Sequence, residues 1–483
     1  LSTTTWFRCL VVTHRYLGIA VGWLMLLWCL SGMVMIYVGY PYLPQPQRRV
    51  ALAPLQLSRC CQLTADTFAA DERVAAVSVE MLAGHPVLQL QPEAGATAVL
   101  DLSTGQRVPA MSAAQVLQVA DDYLAAHGRR HARTLALALV ERDQWTVASQ
   151  FDAHRPMSLV AANDSAGTRL YVSHQTGQLV QVTTRSQRFW NWLGAVPHWL
   201  YFTSLRQHVA VWAQVVIWSS VAGGFLAAFG LYLGVRQLCR GSVRRFHSPY
   251  HGLNYWHHVP GLMFGVLVLS WVVSGLLSMN PWGWLESQQQ DTNTRRLSGE
   301  HPTWQTVQTS LQALSGVQLP GDAVRIDSSL QNGQLHYLVT TRSGARSRLN
   351  ARWMAAPLSE VELQSIRHAL GEHATLASLD REDNYYYSLG DSRAALPVLR
   401  VMHNDTEATR SYLDSMSGEL LLTVDRNVRW YRWLHSALHR MDFAALWRNR
   451  PFRDLWLWLA LGGASVVCVT GTWLGLRRLR GGH

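Results

Sequence analysis

The residues best suited to chemistry are four histidines at the ends of apolar runs: His14, His198, His257 and His439. A neutral imidazole carries a lone pair that ligates transition metals, and an ionisable side chain beside hydrocarbon needs a partner. His14-Arg15-Tyr16-Leu17-Gly18 is followed by Ser31-Gly32, seventeen residues after the histidine, and His257-His258-Val259-Pro260-Gly261 is followed by Ser274-Gly275 at the same interval. His257 lies 243 residues after His14, and His439 lies 241 residues after His198. Any one of these histidines reads equally well as an interfacial side chain with its ring among lipid headgroups. Their recurrence at matched positions suggests instead that equivalent imidazoles, one from each half of the chain, face each other across one iron atom.

The elements that must hold them are apolar. Residues 17–39, 209–235, 259–281 and 455–476 contain no charged residue, and each is long enough to cross about 30 Å of hydrocarbon as a helix. The first runs into Tyr40-Pro41-Tyr42 and not into a small-residue cleavage site, so it reads as an anchor. Short flanking segments carry Arg8, Arg15, Arg236, Arg240, Arg244, Arg245, Arg477, Arg478 and Arg480 without an acidic residue among them. The positive-inside rule then places both termini and the central loop on the cytoplasmic side and leaves residues 40–208 and 282–454 outside.

Charge composition agrees. The chain has 483 residues, 15% of them charged, and a formal net charge of +11, against about 25% charged residues in soluble domains. The nine flanking arginines account for most of that excess, which reports orientation and contact with the lipid bilayer; no nucleic-acid partner is expected. Cys9, Cys29, Cys239 and Cys468 lie in or beside the spans, and the adjacent Cys60 and Cys61 are not expected to bridge each other.

The repetition extends further. Trp192-Leu193 and Phe202 recur as Trp433-Leu434 and Phe443, and Gly230, Gly234 and Arg236 recur as Gly471, Gly475 and Arg477. Two spans per half predict two parallel repeats related by an axis along the membrane normal, with equivalent residues at equal depth. Outside the spans, Tyr171 to Val180 and Tyr412 to Leu421 read as equivalent hairpins turning at Gly177 and Gly418, and Asp101-Leu-Ser-Thr-Gly105 reads as a third. Helical windows at 112–127, 304–315 and 358–370 between alternating strands such as 77–91, 333–342 and 396–403 suggest α+β modules. Tyr385, Tyr386 and Tyr387 also read as alternating strand residues.

The predicted organisation is a cytoplasmic N-terminus and first helix (1–39), a periplasmic module (40–188), an interfacial segment and second helix (189–235), a cytoplasmic loop (236–256), a third helix (257–281), a second periplasmic module (282–428), and an interfacial helix, fourth helix and cytoplasmic C-terminus (429–483). The fold class is a membrane α-helical, four-helix transmembrane bundle from two parallel two-helix repeats, with periplasmic α+β modules. The aromatic, uncharged segment 189–205 has to bend if His198 is to reach the bundle, because a straight helix would carry it about 16 Å above the span. Pro197 is the candidate bend.

The His-Arg-aromatic-Leu-Gly start of a span, the Asp-x-x-Thr-Gly hairpin and the Trp-Leu…Leu-His-Arg segment before the last span together resemble the PepSY-associated transmembrane family. The resemblance covers nearly the whole chain and implies PepSY-like periplasmic modules and an iron-regulated inner-membrane protein that reduces ferric siderophores. It also implies two haem b groups, for which the axial ligand pairs are His14 with His257 and His198 with His439. Rival ligands are His208, His258 and His435, whose matched positions hold Asn449, Arg15 and Gly194. The electron donor is not identifiable.

No nucleotide-binding glycine loop, H-E-x-x-H or G-x-S-x-G motif is present, and the chain contains no lysine, which excludes Schiff-base chemistry and a Walker lysine. The predicted cytoplasmic segments are too short for a nicotinamide or flavin domain. His247 and His251 flank Pro249 and read as a polar loop, and the remaining histidines read as surface residues. The alternative function is a haem-free, membrane-anchored binding protein that recognises peptides or regulates a periplasmic protease. A permease reading is weaker, since the spans hold no charged residue to line a polar route.

Overall fold

The computed structural model describes residues 3–58, 60–63, 68–239, 248–388, 393–443 and 451–481; Arg240, Arg244, Arg245, His247 and Asn449 lie outside the described residues. The uncharged stretches form helices α1 (Thr3–Met35), α2 (Val209–Cys239), α3 (Gly252–Ser278) and α4 (Phe452–Leu479). All four are long and apolar enough to cross a membrane. A helix satisfies its backbone polar groups internally, which hydrocarbon demands. Two compact units result: residues Leu1–Tyr40, Gln187–Glu286 and Asn427–His483 form one, and Pro41–Ser186 with Ser287–Arg426 form the other.

In the helical unit α1 packs against α2 and α4, and α3 packs against the same two helices. Small residues permit the close approach: Gly463 faces the Phe264 ring, and Gly223 faces the Met25 sulfur. Met25, Cys29, Val268, Val272, Ala464 and Cys468 make the buried centre. Outward-facing side chains stay apolar, with Trp218 62% and Met263 68% exposed, as suits helices whose solvent is lipid.

Among the described residues, the second unit contains fourteen strands. One sheet has the order β10-β9-β8-β1-β2-β3, built from β1 (Val74–Leu82), β2 (His85–Pro92), β3 (Ala98–Asp101), β8 (Ala323–Gln331), β9 (Gln334–Thr341) and β10 (Arg346–Asn350). A second runs β4 (Thr134–Val140), β5 (Met157–Ala162), β6 (Arg169–Ser173), β7 (Leu179–Thr183); a third runs β11 (Thr375–Leu379), β12 (Val398–Met402), β13 (Arg410–Asp414), β14 (Leu420–Val424). All strand pairs are antiparallel. Each sheet buries its apolar face under a helix. Ala113–Ala126 covers β4–β7, Trp304–Gln312 packs on the six-stranded sheet and Glu360–Leu370 covers β11–β14. Capping boxes at Ser112/Gln115 and Ser359/Glu362 fix where two of these helices start.

Five expectations from the sequence are corrected by the fold. Residues 77–91 are a hairpin, because Ala83 and Gly84 take positive φ (48° and 85°) and turn the chain between β1 and β2. Tyr385, Tyr386 and Tyr387 lie outside any strand; the Tyr385 and Tyr386 amides donate to Asp383 Oδ1, and this side-chain turn replaces a ladder. Cys60 and Cys61 are bonded to each other, at a turn where Cys61 has φ 90°. His336 is buried at 5% exposure, with Nδ1 on the Gln334 carbonyl. The two segments assigned to separate modules also meet in one sheet, because β1 pairs with β8.

Candidate functional site

The helical unit brings the four histidines together in two pairs. His14 on α1 faces His257 on α3 with ring centroids 6.3 Å apart and planes at 37°. His198 faces His439 at 6.1 Å and 64°. All four rings are half-buried.

In each case Nδ1 meets the backbone of a neighbouring helix. His14 Nδ1 donates to the Leu226 carbonyl on α2 (3.1 Å), and His257 Nδ1 to the Val467 carbonyl on α4 (3.2 Å), where Thr470 Oγ1 is also 3.2 Å away. His198 Nδ1 donates to the Trp28 carbonyl (3.2 Å) beside Ser31 Oγ (3.1 Å), and His439 Nδ1 to the Trp271 carbonyl (3.2 Å) beside Ser274 Oγ (3.1 Å). A carbonyl oxygen only accepts, so Nδ1 carries the proton and Nε2 keeps its lone pair. Among the described residues, Nε2 of these four takes part in no hydrogen bond.

Glycines make room for the rings. A Cβ at Gly230 would stand 2.7 Å from His14 Cε1, and one at Gly471 would stand 2.9 Å from His257 Cε1. Gly32 and Gly275 line the other pair, at 3.5 Å from His198 Cε1 and 3.3 Å from His439 Cε1.

The backbone delivers His198 and His439 by different routes. Before His198, the helix Arg185–Leu193 breaks at Gly194 (φ −109°, ψ −102°) and the chain turns again at Leu200 (φ 53°), so the bends flank Pro197 and do not fall on it. The short helix Ala195–His198 then packs against α1. Before His439, a π-helical turn, Arg432–Ala437, realigns the chain with α3.

The rival histidines are placed differently. Both His258 nitrogens are engaged, Nε2 with the Gly234 carbonyl (3.0 Å) and Nδ1 with Ser248 Oγ (2.9 Å). His208 is exposed at the entrance to α2. His435 has Nδ1 on the Ser274 carbonyl (2.9 Å) and stacks on His439 at 5.3 Å, a neighbour of the pair and not its facing ring.

The geometry has a direct chemical reading. A metal–nitrogen bond of about 2 Å on each side, plus about 1 Å from nitrogen to ring centre, sets facing imidazoles roughly 6 Å apart. Both pairs match. Among the described residues no group of three or more His, Cys, Asp or Glu side chains is placed to hold a bare metal ion. Two facing imidazoles suit an iron whose other ligands come with a porphyrin, and the residues present fit haem.

Sequence reasoning found the imidazoles but not their supports. Ser31, Ser274, Gly230 and Gly471 were visible only as repeated residues, while Leu226, Trp28, Trp271 and Val467 act through carbonyls, which leave no side-chain signature. No protein-family model and no curated protein matches this chain.

Proposed function

We propose that the protein is an inner-membrane electron-transfer protein holding two haem b groups, which reduces ferric iron on the periplasmic side, as a ferric-siderophore reductase of the PepSY-associated transmembrane type. The supporting observation is that two imidazole pairs each stand about 6 Å apart with Nδ1 committed to a backbone carbonyl. When bound, haem supplies reversible one-electron chemistry, and reduction of ferric iron weakens its hold on hard oxygen ligands.

The chain's own residues bind and orient. His14 and His257 hold the cytoplasmic-side group, and His198 and His439 the periplasmic-side group. The carbonyls of Leu226, Val467, Trp28 and Trp271 fix each ring's tautomer and plane. Trp28 lies fourteen residues along α1 from His14, about 21 Å at 1.5 Å per residue. The buried centre formed by Met25, Cys29, Val268 and Cys468 excludes water between the two levels.

The duplicated sequence supports two parallel repeats, and the arginine-rich flanks support cytoplasmic termini with the sheet-bearing unit in the periplasm. Electrons come from a donor on the cytoplasmic or membrane side.

The test is haem stoichiometry by pyridine haemochrome on the intact protein and four variants. Two haems are expected in the parent. His14→Ala or His257→Ala removes one, and His198→Ala or His439→Ala removes the other, distinguishable by its spectrum. A colourless, folded parent would overturn the reading in favour of a membrane-anchored binding protein.

A further inference from the structure

Arg206, at the approach to α2, is a buried cation that takes no part in either imidazole pair; it is 7% exposed. Its guanidinium carbon stands 4.5 Å from the centre of the Trp212 ring and 5.1 Å from that of Tyr201. Ring faces attract a cation but leave its N–H groups wanting acceptors. Among the described residues, Arg206 Nε and Nη1 are buried without a hydrogen-bond partner.

No carboxylate answers the charge. Residues 1–40 and 187–285 contain no Asp or Glu, and Asp442 and Asp454, elsewhere in the helical unit, pair with Arg432 and Arg453. Among the described residues no ion pair reaches Arg206. A buried charge left unpaired is costly, so the site calls for an anion from outside the chain.

Aromatic residues mark its level in the bilayer. Tyr40, just past the first apolar run, stands 5.8 Å from both Trp199 and Tyr201, and Tyr201 stands 5.4 Å from Trp212 in the first turn of α2. Two span ends therefore meet in one Trp/Tyr cluster, as at the headgroup level, where phosphate is the abundant anion. The short helix Thr203–Arg206 packs on α2, whereas His198, before the reversal at Leu200, lies on the short helix that packs on α1. Ser204, Gln207 and His208 beside Arg206 are exposed, so the site lies open to its surroundings.

We infer that Arg206 is the phosphate clamp of a site for one anionic phospholipid of the phosphatidylglycerol class, in preference to a zwitterionic one. The guanidinium fork matches two phosphate oxygens. The Tyr201 and Trp212 rings are already engaged by the guanidinium, and no carboxylate is at hand, so an ammonium headgroup finds neither cage nor counter-charge. A glycerol headgroup needs neither. The inference requires only a membrane-spanning helical unit and stands apart from the electron-transfer reading.

The intact protein, delipidated in detergent, is titrated with phosphatidylglycerol and with phosphatidylethanolamine of the same acyl chains, and bound lipid is counted by native mass spectrometry. Phosphatidylglycerol is expected to saturate its tightest site at one per chain and to bind there about tenfold more tightly than phosphatidylethanolamine, a ratio within reach of one hydrogen bond to a charged group. Arg206→Gln weakens that event by about tenfold or more and erases the preference. Arg206→Lys keeps the preference at lower affinity, since it offers the charge without the fork. Arg477→Gln, at an exposed arginine in the last turn of α4, leaves the event unchanged.

Equal affinity of the parent for the two lipids, or an unmoved affinity in folded Arg206→Gln, overturns the inference. So does displacement of phosphatidylglycerol by millimolar inorganic phosphate, which would assign the site to the free anion. The parent comparison and Arg206→Lys decide the matter even if Arg206→Gln fails to fold. Haemochrome on the same samples covers the other anion at issue, a haem carboxylate: haem content is expected to be unchanged in Arg206→Gln, and its loss with lipid binding intact overturns the inference. One tight phosphatidylglycerol on a colourless parent supports the lipid site and sinks electron transfer, and two haems without lipid preference do the reverse.

Discussion

At the scale of single residues, the site depends as much on missing side chains as on imidazoles. The carbonyls that orient His14 and His257 come from Leu226 and Val467, each four residues before a glycine, Gly230 and Gly471, that faces the same ring. A methyl at either glycine meets Cε1 inside contact distance, at 2.7 and 2.9 Å, whereas Gly32 leaves 3.5 Å to His198 and Gly224 has nothing within 4 Å. Gly230→Ala and Gly471→Ala are therefore expected to displace a ring and cost the cytoplasmic-side haem, with affinity falling roughly 10–100-fold as for other lost orienting contacts. Gly32→Ala and Gly224→Ala should keep both haems. Haemochrome stoichiometry on the four variants checks this, and full retention in both Gly230→Ala and Gly471→Ala would show that the rings are held some other way. The imidazoles were legible because the chain states them twice at matched spacing; the carbonyls were not, because any residue supplies one.

Among elements, legibility followed the length of the physical signal. Runs of more than twenty uncharged residues admit one solution in hydrocarbon, and α1 to α4 fall where those runs do. Shorter signals misled: 77–91 reads as one alternating strand, but positive φ at Ala83 and Gly84 turns it into a hairpin. The pairing of β1 with β8 was also hidden, because it joins residues about 250 positions apart. Its register sets Glu80 opposite Arg325, and Arg48 from the helix Gln45–Val50 closes the carboxylate from the other side. Burial alone would raise the Glu80 pKa, but the two arginines outweigh it and hold it below the usual carboxylate value. A depressed folded pKa stabilises fully above the unfolded value of about 4.3, and that contribution is lost as pH falls through the lower folded value. Glu80→Gln leaves the buried Arg48 guanidinium short of a partner and removes one of the two carboxylates on half-buried Arg325, and is expected to cost about 3–5 kcal/mol. Hydrogen exchange on the intact protein should show β1 and β8 amides losing protection in the variant at neutral pH, and in the parent only in acid. Unchanged exchange at both pH values would mean that the pair is energetically silent.

For the whole molecule, neither half completes an imidazole pair or the six-stranded sheet alone. Each imidazole pair takes one ring from residues 1–239 and one from residues 248–483, and the six-stranded sheet takes three strands from each. Cutting between the halves would therefore unmake both features together. In a fragment ending at Cys239, β1 becomes an edge strand, and Val77 and Val79, 4% and 1% exposed in the intact chain, lose cover from β8. Open edges of this kind invite pairing with other chains. The fragment retains His14 and His198, yet each lacks its facing ring, so as a monomer it should bind no haem at bis-imidazole strength. Two routes restore the pairs: co-expression with residues 248–483, or association of two copies of the fragment in the parallel arrangement that the duplication suggests. Size-exclusion chromatography with in-line absorbance at the Soret band separates these outcomes, with haem expected only in the heterodimer or a homodimer peak. A monomeric fragment carrying haem with the parent's bis-imidazole spectrum would show that one half supplies both axial ligands, and the pairing of His14 with His257 and of His198 with His439 would have to be abandoned.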